Sequence, residues 1–173
     1  MEQRNITTQK IIFLGAVRVG KSTIVKILTR KFNFNSKDYQ MTQGVELHDK
    51  ALEVCGHTVD TVLVDTAGHE LYKWVVKPVC DESAFYALCF DLTNKDSLSI
   101  LKAYLEELSI QKSVLIGCKF DLQSRHAISL STAEEFAINN NLKLHLTSMR
   151  YYYRYQFGYS ESTTRLDLDL RKD

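Results

Sequence analysis

Short apolar runs alternate with amphipathic stretches between residues 10 and 148, the pattern of a largely parallel sheet covered by helices. Lys10-Ile11-Ile12-Phe13-Leu14 reads as a buried strand. Ile24, Ile27 and Leu28 then recur at helical spacing, which predicts a helix from Lys21 to about Phe32, and the polar stretch from Asn33 to Gln43 reads as a loop. Val45–Val54 and Val59–Val64 form a predicted hairpin around a Cys55-Gly56-His57 turn, the one antiparallel edge. After a short helical link comes a buried strand, Phe85–Leu92, and then Leu98, Leu101, Leu105 and Leu108 mark a helix packing one stripe on the sheet. Ser113–Cys118 is another strand. Ser131-Thr132-Ala133-Glu134 reads as a capping box opening a helix that runs through Asn139, and Leu142–Leu146 is the last clear strand.

The pattern changes near Arg150. Tyr151, Tyr153, Tyr155, Phe157 and Tyr159 alternate at period two, as do Leu166, Leu168 and Leu170, so neither stretch makes an amphipathic helix. The expected organisation is therefore a domain over 1–150 and a divergent tail over 151–173. Three origins compete for that tail: disorder, strands that pair with a partner, and a segment substituted by altered splicing or reading frame.

The chain has 173 residues with 45% hydrophobic content, enough for one domain with a full core. Lys and Arg total 22 against 21 acidic residues, so no excess positive charge is available to track nucleic acid or an anionic membrane. Cys55, Cys80, Cys89 and Cys118 are widely spaced and fit a reducing, intracellular setting. No signal-length apolar stretch follows Met1, Glu2 stands where myristoylation needs glycine, and Leu170-Arg171-Lys172-Asp173 holds no lipidatable cysteine, so no direct membrane anchor is expected. His48, His57, His126 and His145 show no metal-ligand spacing, and no zinc site is expected. Trp74 with Tyr72 reads either as a partner-facing patch or as core packing of the short helical link.

Chemistry concentrates in four stretches. Gly15-Ala16-Val17-Arg18-Val19-Gly20-Lys21-Ser22 fits the phosphate-binding loop G-x-x-x-x-G-K-[ST], after a strand and at a helix start. Its glycines let successive N–H groups turn inward toward a phosphate, and the helix dipole adds positive potential there. Lys21 neutralises the β- and γ-phosphates, Ser22 offers its hydroxyl to Mg²⁺, and Thr23 helps hold the α-phosphate. Leu63-Val64-Asp65-Thr66-Ala67-Gly68 puts a carboxylate, Asp65, at the metal side through a water, and a glycine, Gly68, whose N–H approaches a γ-phosphate. Cys118-Lys119-Phe120-Asp121 and Thr147-Ser148-Met149 fall at the same sheet edge. The Asp121 carboxylate accepts from guanine N1–H and its exocyclic amine, a donor pair adenine lacks. The Lys119 stem lies along the base, and Ser148 with the Met149 N–H finishes the pocket.

These motifs, in this order and spacing over about residues 10–150, resemble the Ras superfamily of small GTPases. The resemblance implies an α/β P-loop NTPase fold: a six-stranded, mostly parallel sheet with one antiparallel edge strand, helices on both faces, and a last helix placed in doubt by the C-terminal pattern. Thr42-Gln43-Gly44-Val45-Glu46 looks like the Rab version of the first switch, implying that Thr42 closes onto Mg²⁺ and the γ-phosphate of GTP. Lys37 to Glu46 and Asp65 to Lys73 are similar to the Rab-like subunit of intraflagellar transport complex B. That likeness implies work without a lipid anchor in a ciliary or flagellar assembly, beside a small β-sandwich partner and other subunits that meet the switches near Thr42 and Gly68.

Departures from the family pattern alter the expected mechanism. His69 stands where the water-orienting glutamine is usual, and Val17 crowds a loop position often held by glycine, so unaided hydrolysis of GTP to GDP should be slow. Cys118 replaces the asparagine of N-K-x-D and removes amide hydrogen bonds, a loss of ~1–3 kcal/mol, about 5- to 150-fold in affinity. The expected function is a Mg²⁺-dependent GTP/GDP switch. Its rivals are a scaffold of the same fold with little nucleotide use and a vesicle-trafficking Rab.

Overall fold

The computed structural model describes residues 9–33 and 40–150. Within them the chain forms β1 (Gln9–Leu14), α1 (Lys21–Leu28), β2 (Val45–Val54), β3 (His57–Thr66), α2 (Lys73–Val76), β4 (Phe85–Asp91), α3 (Ser97–Glu107), β5 (Lys112–Cys118), α4 (Leu130–Asn139) and β6 (Lys143–Leu146), in that order. Short 3₁₀ turns at Glu70–Tyr72 and Lys77–Val79 flank α2.

Six strands form one sheet in the order β2-β3-β1-β4-β5-β6, with only β2–β3 antiparallel. The other pairs are parallel, so the carboxyl ends of β1, β3, β4, β5 and β6 share one edge. Period-two alternation splits the apolar residues between the two faces. Ile12, Leu14, Val64, Tyr86, Leu88, Phe90 and Leu115 pack with Val76 of α2, Leu98, Leu101 and Tyr104 of α3, and Ala133 and Ala137 of α4. On the opposite face Phe13, Leu63, Ala87, Cys89 and Cys118 pack with Val25 of α1. The α/β sheet with helices on both faces, expected from the sequence, is therefore the observed fold.

Four local readings need correction. The first helix stops at Leu28 rather than Phe32, because Arg30 enters the left-handed region at φ 58. Lys31 N then donates to Lys26 O at 2.8 Å and Arg30 N to Ile27 O at 3.0 Å, a Schellman end with arginine where glycine is usual. The hairpin turn is two residues, Cys55 (φ 50) and Gly56 (φ 79), so His57 already belongs to β3. Two positive-φ residues match the twist of the flanking strands, which explains the tighter turn. Ser131 is not a cap: Ser129 is, accepting from Thr132 N at 3.1 Å, and Ser131 lies in the first turn of α4. Trp74 is 75% exposed, so its core-packing reading fails.

Met149 and Arg150 are helical at the end of the described chain. The alternation of Tyr151 to Tyr159 and Leu166 to Leu170, the doubtful last helix, and Lys37 to Tyr39 of the first-switch stretch all lie outside the described residues.

Candidate functional site

The loop after β1 is shaped by two glycines at positive φ, of which Gly15 also has no room for a side chain. A Cβ on Gly15 (φ +147) would sit 2.0 Å from Cys89 O, so the loop passes against the backbone of β4. Gly20 (φ +119) caps α1 without a side-chain hydrogen bond, and no acidic residue stands in the first turn. The helix N-terminus therefore keeps unpaired N–H groups and positive potential for an anion. Lys21 is buried and its ammonium donates to Gly15 O and Ala16 O at 2.8 Å each, which bends it back over the loop. Burial lowers its pKa from 10.5, with Cys89, Asp65 and Cys118 pulling the other way.

Beside Lys21, three oxygen-bearing side chains from different segments meet. Ser22 Oγ lies 2.8 Å from Thr42 Oγ1, and Thr42 Oγ1 donates to Asp65 Oδ2 at 3.2 Å. Asp65 is 1% exposed, yet its Oδ1 has no hydrogen-bond partner. Burial raises its pKa above 3.8, with the nearby Ser22 hydroxyl and the charge of Lys21 pulling the other way. A buried carboxylate oxygen left orphaned beside two hydroxyls is an incomplete site. The set fits Mg²⁺: hard oxygen donors, with about 2.9 Å expected between adjacent oxygens held at 2.0–2.1 Å around an octahedral ion. No cluster of three or more His, Cys, Asp or Glu occurs among the described residues, so such an ion would share its coordination with phosphate and water.

The segment after β3 lies against this loop. A Cβ on Gly68 would come within 2.4 Å of the Ala16 carbonyl and 2.5 Å of Val17 N, so glycine is required for the approach. Thr66 Oγ1 donates to Phe13 O of β1 at 2.6 Å, and Ala67 N donates to Gly44 O at 2.8 Å, which ties the Asp65 and Thr42 segments together. His69 is used differently: its Nδ1 accepts from Leu71 N at 3.2 Å and caps the following 3₁₀ turn. Val17 is 38% exposed and Arg18, at φ 62, also faces out, while Val19 is buried beneath the loop.

At the other end of the edge, Cys118 is buried with Sγ 3.6 Å from where a Gly20 Cβ would stand. The neighbouring Cys89 thiol, then burial, holds its thiol well above the usual pKa, so it stays neutral. Lys119 has φ 60 and its ammonium bonds Asp91 Oδ2 at 2.6 Å. Phe120 N donates to Thr147 O at 3.2 Å and Thr147 N to Gly117 O at 2.8 Å, joining the segments that follow β5 and β6. Asp121 and Thr23 are half-buried, Ser148 is buried and Met149 is 51% exposed.

Lys21, Ser22, Thr42 and Asp65 thus converge, with Gly68 at their side. Asp121, Ser148 and Met149 share the sheet edge, and His69 is engaged elsewhere. Sequence reading missed Asp91, Cys89 and the Ala16 carbonyl. Asp91 carried a signal, since like Asp65 it is an acid ending a buried strand, here in Phe90-Asp91-Leu92-Thr93.

Comparison with known proteins identifies the family. The Ras family model matches residues 10–164. Intraflagellar transport protein 27 of Chlamydomonas reinhardtii is 32% identical over 144 residues, covering 77% of this chain and 71% of that protein. Its mouse homologue is 28% identical over 149 residues, covering 82% and 80%. Ras-related protein RABA4d of Arabidopsis thaliana is 34% identical over 138 residues, covering 77% and 61%. The sheet, the glycine-shaped loop and the family match together make the chain a member of the Ras family, a Rab-like small GTPase whose ligand is a guanine nucleotide.

Proposed function

We propose that the chain is a slowly hydrolysing GTP switch that serves as a subunit of an intraflagellar transport assembly in a cilium or flagellum. The observation that carries the switch is the meeting of Ser22, Thr42 and Asp65 around an orphaned carboxylate oxygen. Bound with the nucleotide, Mg²⁺ would neutralise charge on the β- and γ-phosphate oxygens. Ser22 and Thr42 would offer it their hydroxyls and Asp65 its unpaired oxygen. Thr42 belongs to the first mobile-type loop of the family and Gly68 to the second, so a γ-phosphate that holds both sets the surface a partner reads. Lys21 leaves the Gly15 and Ala16 carbonyls to meet phosphate, and Asp121 with Lys119, Ser148 and Met149 takes the guanine.

Slow turnover follows from His69. Its Nδ1 accepts a backbone N–H, so the neutral ring carries its proton on Nε2 and has no free acceptor for an attacking water. Val17 adds bulk at the loop surface next to Gly68. The transport role draws on the two intraflagellar transport relatives, at 32% and 28% identity. Trp74 and Leu71, 75% and 72% exposed beside the second loop, form the apolar surface we assign to a partner subunit.

Titration with a fluorescent GTP analogue, with and without Mg²⁺, tests the switch: saturable, Mg²⁺-dependent binding that ATP does not compete is expected. Absence of saturable binding would overturn it and favour the scaffold reading, which Cys118 and Val17 support. Co-purification from ciliated cells tests the transport role, which fails if no transport subunit accompanies the protein.

A further inference from the structure

The base-side loop is organised around Lys119, held in a backbone conformation that long side chains avoid. Its φ of 60 lies in the left-handed region. Backbone bonds keep it there, with Leu122 N donating to Lys119 O at 3.0 Å and Leu92 N to Cys118 O at 3.2 Å. The ammonium reaches back to the neighbouring strand, where Asp91 Oδ2 accepts it at 2.6 Å.

Asp91 is a rigid anchor. It ends β4 directly opposite Cys118 in the β4–β5 register. Its other oxygen, Oδ1, accepts from Thr93 N at 2.8 Å and Thr93 Oγ1 at 2.7 Å. Its main chain is clamped by the fully buried Ser97, whose Oγ lies 3.2 Å from Asp91 N and 3.0 Å from Asp91 O. The carboxylate side chain is 9% exposed against 36% for that of Lys119, so the fixed partner is the acid. Cys118 supplies only a neutral thiol facing Gly20, a weak donor that cannot replace this tie.

We infer that Asp91 is a positioning residue for guanine binding: it fixes the Lys119 ammonium so that the aliphatic stem is presented to the flat face of the base. An unheld lysine has four flexible torsions and a strongly hydrated head, both of which draw the stem off the base. The proposal rests on the reading that Lys119 lies along the nucleotide base. Contact through the stem is to the ring face, so it does not depend on the exocyclic amine that Asp121 reads.

The test is a double-mutant cycle in the full-length chain, with Mg²⁺ and fluorescent GTP and ITP analogues, ITP lacking that amine. Asp91→Asn should loosen both nucleotides equally, by about tenfold, the cost of one charge-assisted hydrogen bond. Lys119→Ala should loosen them at least as much, and Asp91→Asn in that background should add less than about twofold. Asp91→Glu, which restores the charge, should recover most of the loss. Equal losses from Asp91→Asn in both backgrounds would mean that Asp91 acts on the fold alone, and would overturn the inference. So would an unchanged affinity for Asp91→Asn where Lys119→Ala weakens binding, leaving the base reading intact. If Lys119→Ala itself changes nothing, the base reading fails and takes the inference with it. Should Asp91→Asn not fold by circular dichroism, Asp91→Ser, which also removes the charge but keeps an acceptor for Thr93, closes the cycle in both backgrounds under the same criteria.

Discussion

Asp65→Asn separates the cost of the Asp65 carboxylate from its use. Asp65 is 1% exposed, its Oδ2 accepts from Thr42 at 3.2 Å, and its Oδ1 has no hydrogen-bond partner. Burial raises its pKa above 3.8, so the folded chain binds the proton more tightly than the unfolded chain. Its contribution to stability is then full below the unfolded value and is lost as pH climbs through the raised one. Near neutral pH the ionised group is a net cost. Asparagine keeps the shape and the acceptor for Thr42, and replaces an orphaned charged oxygen with an orphaned amide N–H. A neutral orphan costs about 1–3 kcal/mol and a charged one more; after losing the attraction to Lys21, the net gain should be about 1 kcal/mol.

For a chain of this size that gain raises Tm by about 2–4 °C in the nucleotide-free state. The difference should shrink toward zero as pH approaches the ordinary carboxylate value of 3.8. Mg²⁺ and GTP should reverse the order. At about 100 times Kd the ligand stabilises the wild type by about 2.7 kcal/mol, or about 5–11 °C, whereas the asparagine variant should gain less than half of that. Thermal unfolding followed by circular dichroism, across pH and with or without Mg²⁺ and GTP, reads both effects. A variant less stable than wild type without nucleotide near neutral pH, or one that gains as much from Mg²⁺ and GTP, refutes the reasoning.

Lys21→Met removes an ammonium that bonds Gly15 O and Ala16 O, and should lower guanine nucleotide affinity by at least about 10²-fold; unchanged occupancy in a filter-binding assay refutes the phosphate cradle. Cys118→Asn should tighten GTP binding by about 2- to 13-fold by returning one amide hydrogen bond; an unchanged Kd in a fluorescence titration counts against it. Gly68→Ala places a methyl 2.4 Å from the Ala16 carbonyl, so the second loop must leave the phosphate loop, and GTP should no longer protect it in limited proteolysis. Ser129→Ala removes the true cap of α4 and should cost about 1 kcal/mol, or about 2–4 °C in Tm, whereas Ser131→Ala should cost less than half as much.

Elements carried by long-range burial were legible in the sequence because their periodicity is the packing itself. Leu98 and Leu101 are buried on α3, as their spacing requires, and every parallel strand lies within a residue or two of its apolar run. The ends of elements were less legible because single hydrogen bonds fix them. Arg30 closes α1 in a conformation usually given to glycine, which no apolar pattern announces. Ser129 and Ser131 are equally good caps in isolation, and only the packing of Ala133 and Ala137 against the sheet sets which one begins the helix.

Within the site the divide follows chemistry. Residues that act through the main chain had visible signatures: Gly15 and Gly68 stand where backbone meets backbone, with no room for a Cβ. Residues that act by what their side chains meet could be named from the sequence, but what they do in the fold could not. His69 was legible as a departure, yet its bond from Leu71 N, which turns a candidate catalytic group into a cap, depends on a local turn. Asp91 was overlooked because its partner, Lys119, is 28 residues away, brought into reach only by the β4–β5 register. Asp65 shows the same dependence in reverse. Its raised pKa and its unpaired oxygen arise because β3 carries it to the edge beside Lys21 and Ser22, and Thr42 lies over it. A carboxylate held at such cost without its ligand is stabilised most by the charge it was placed to meet, and this makes nucleotide-dependent stability the most direct measure of whether the switch operates.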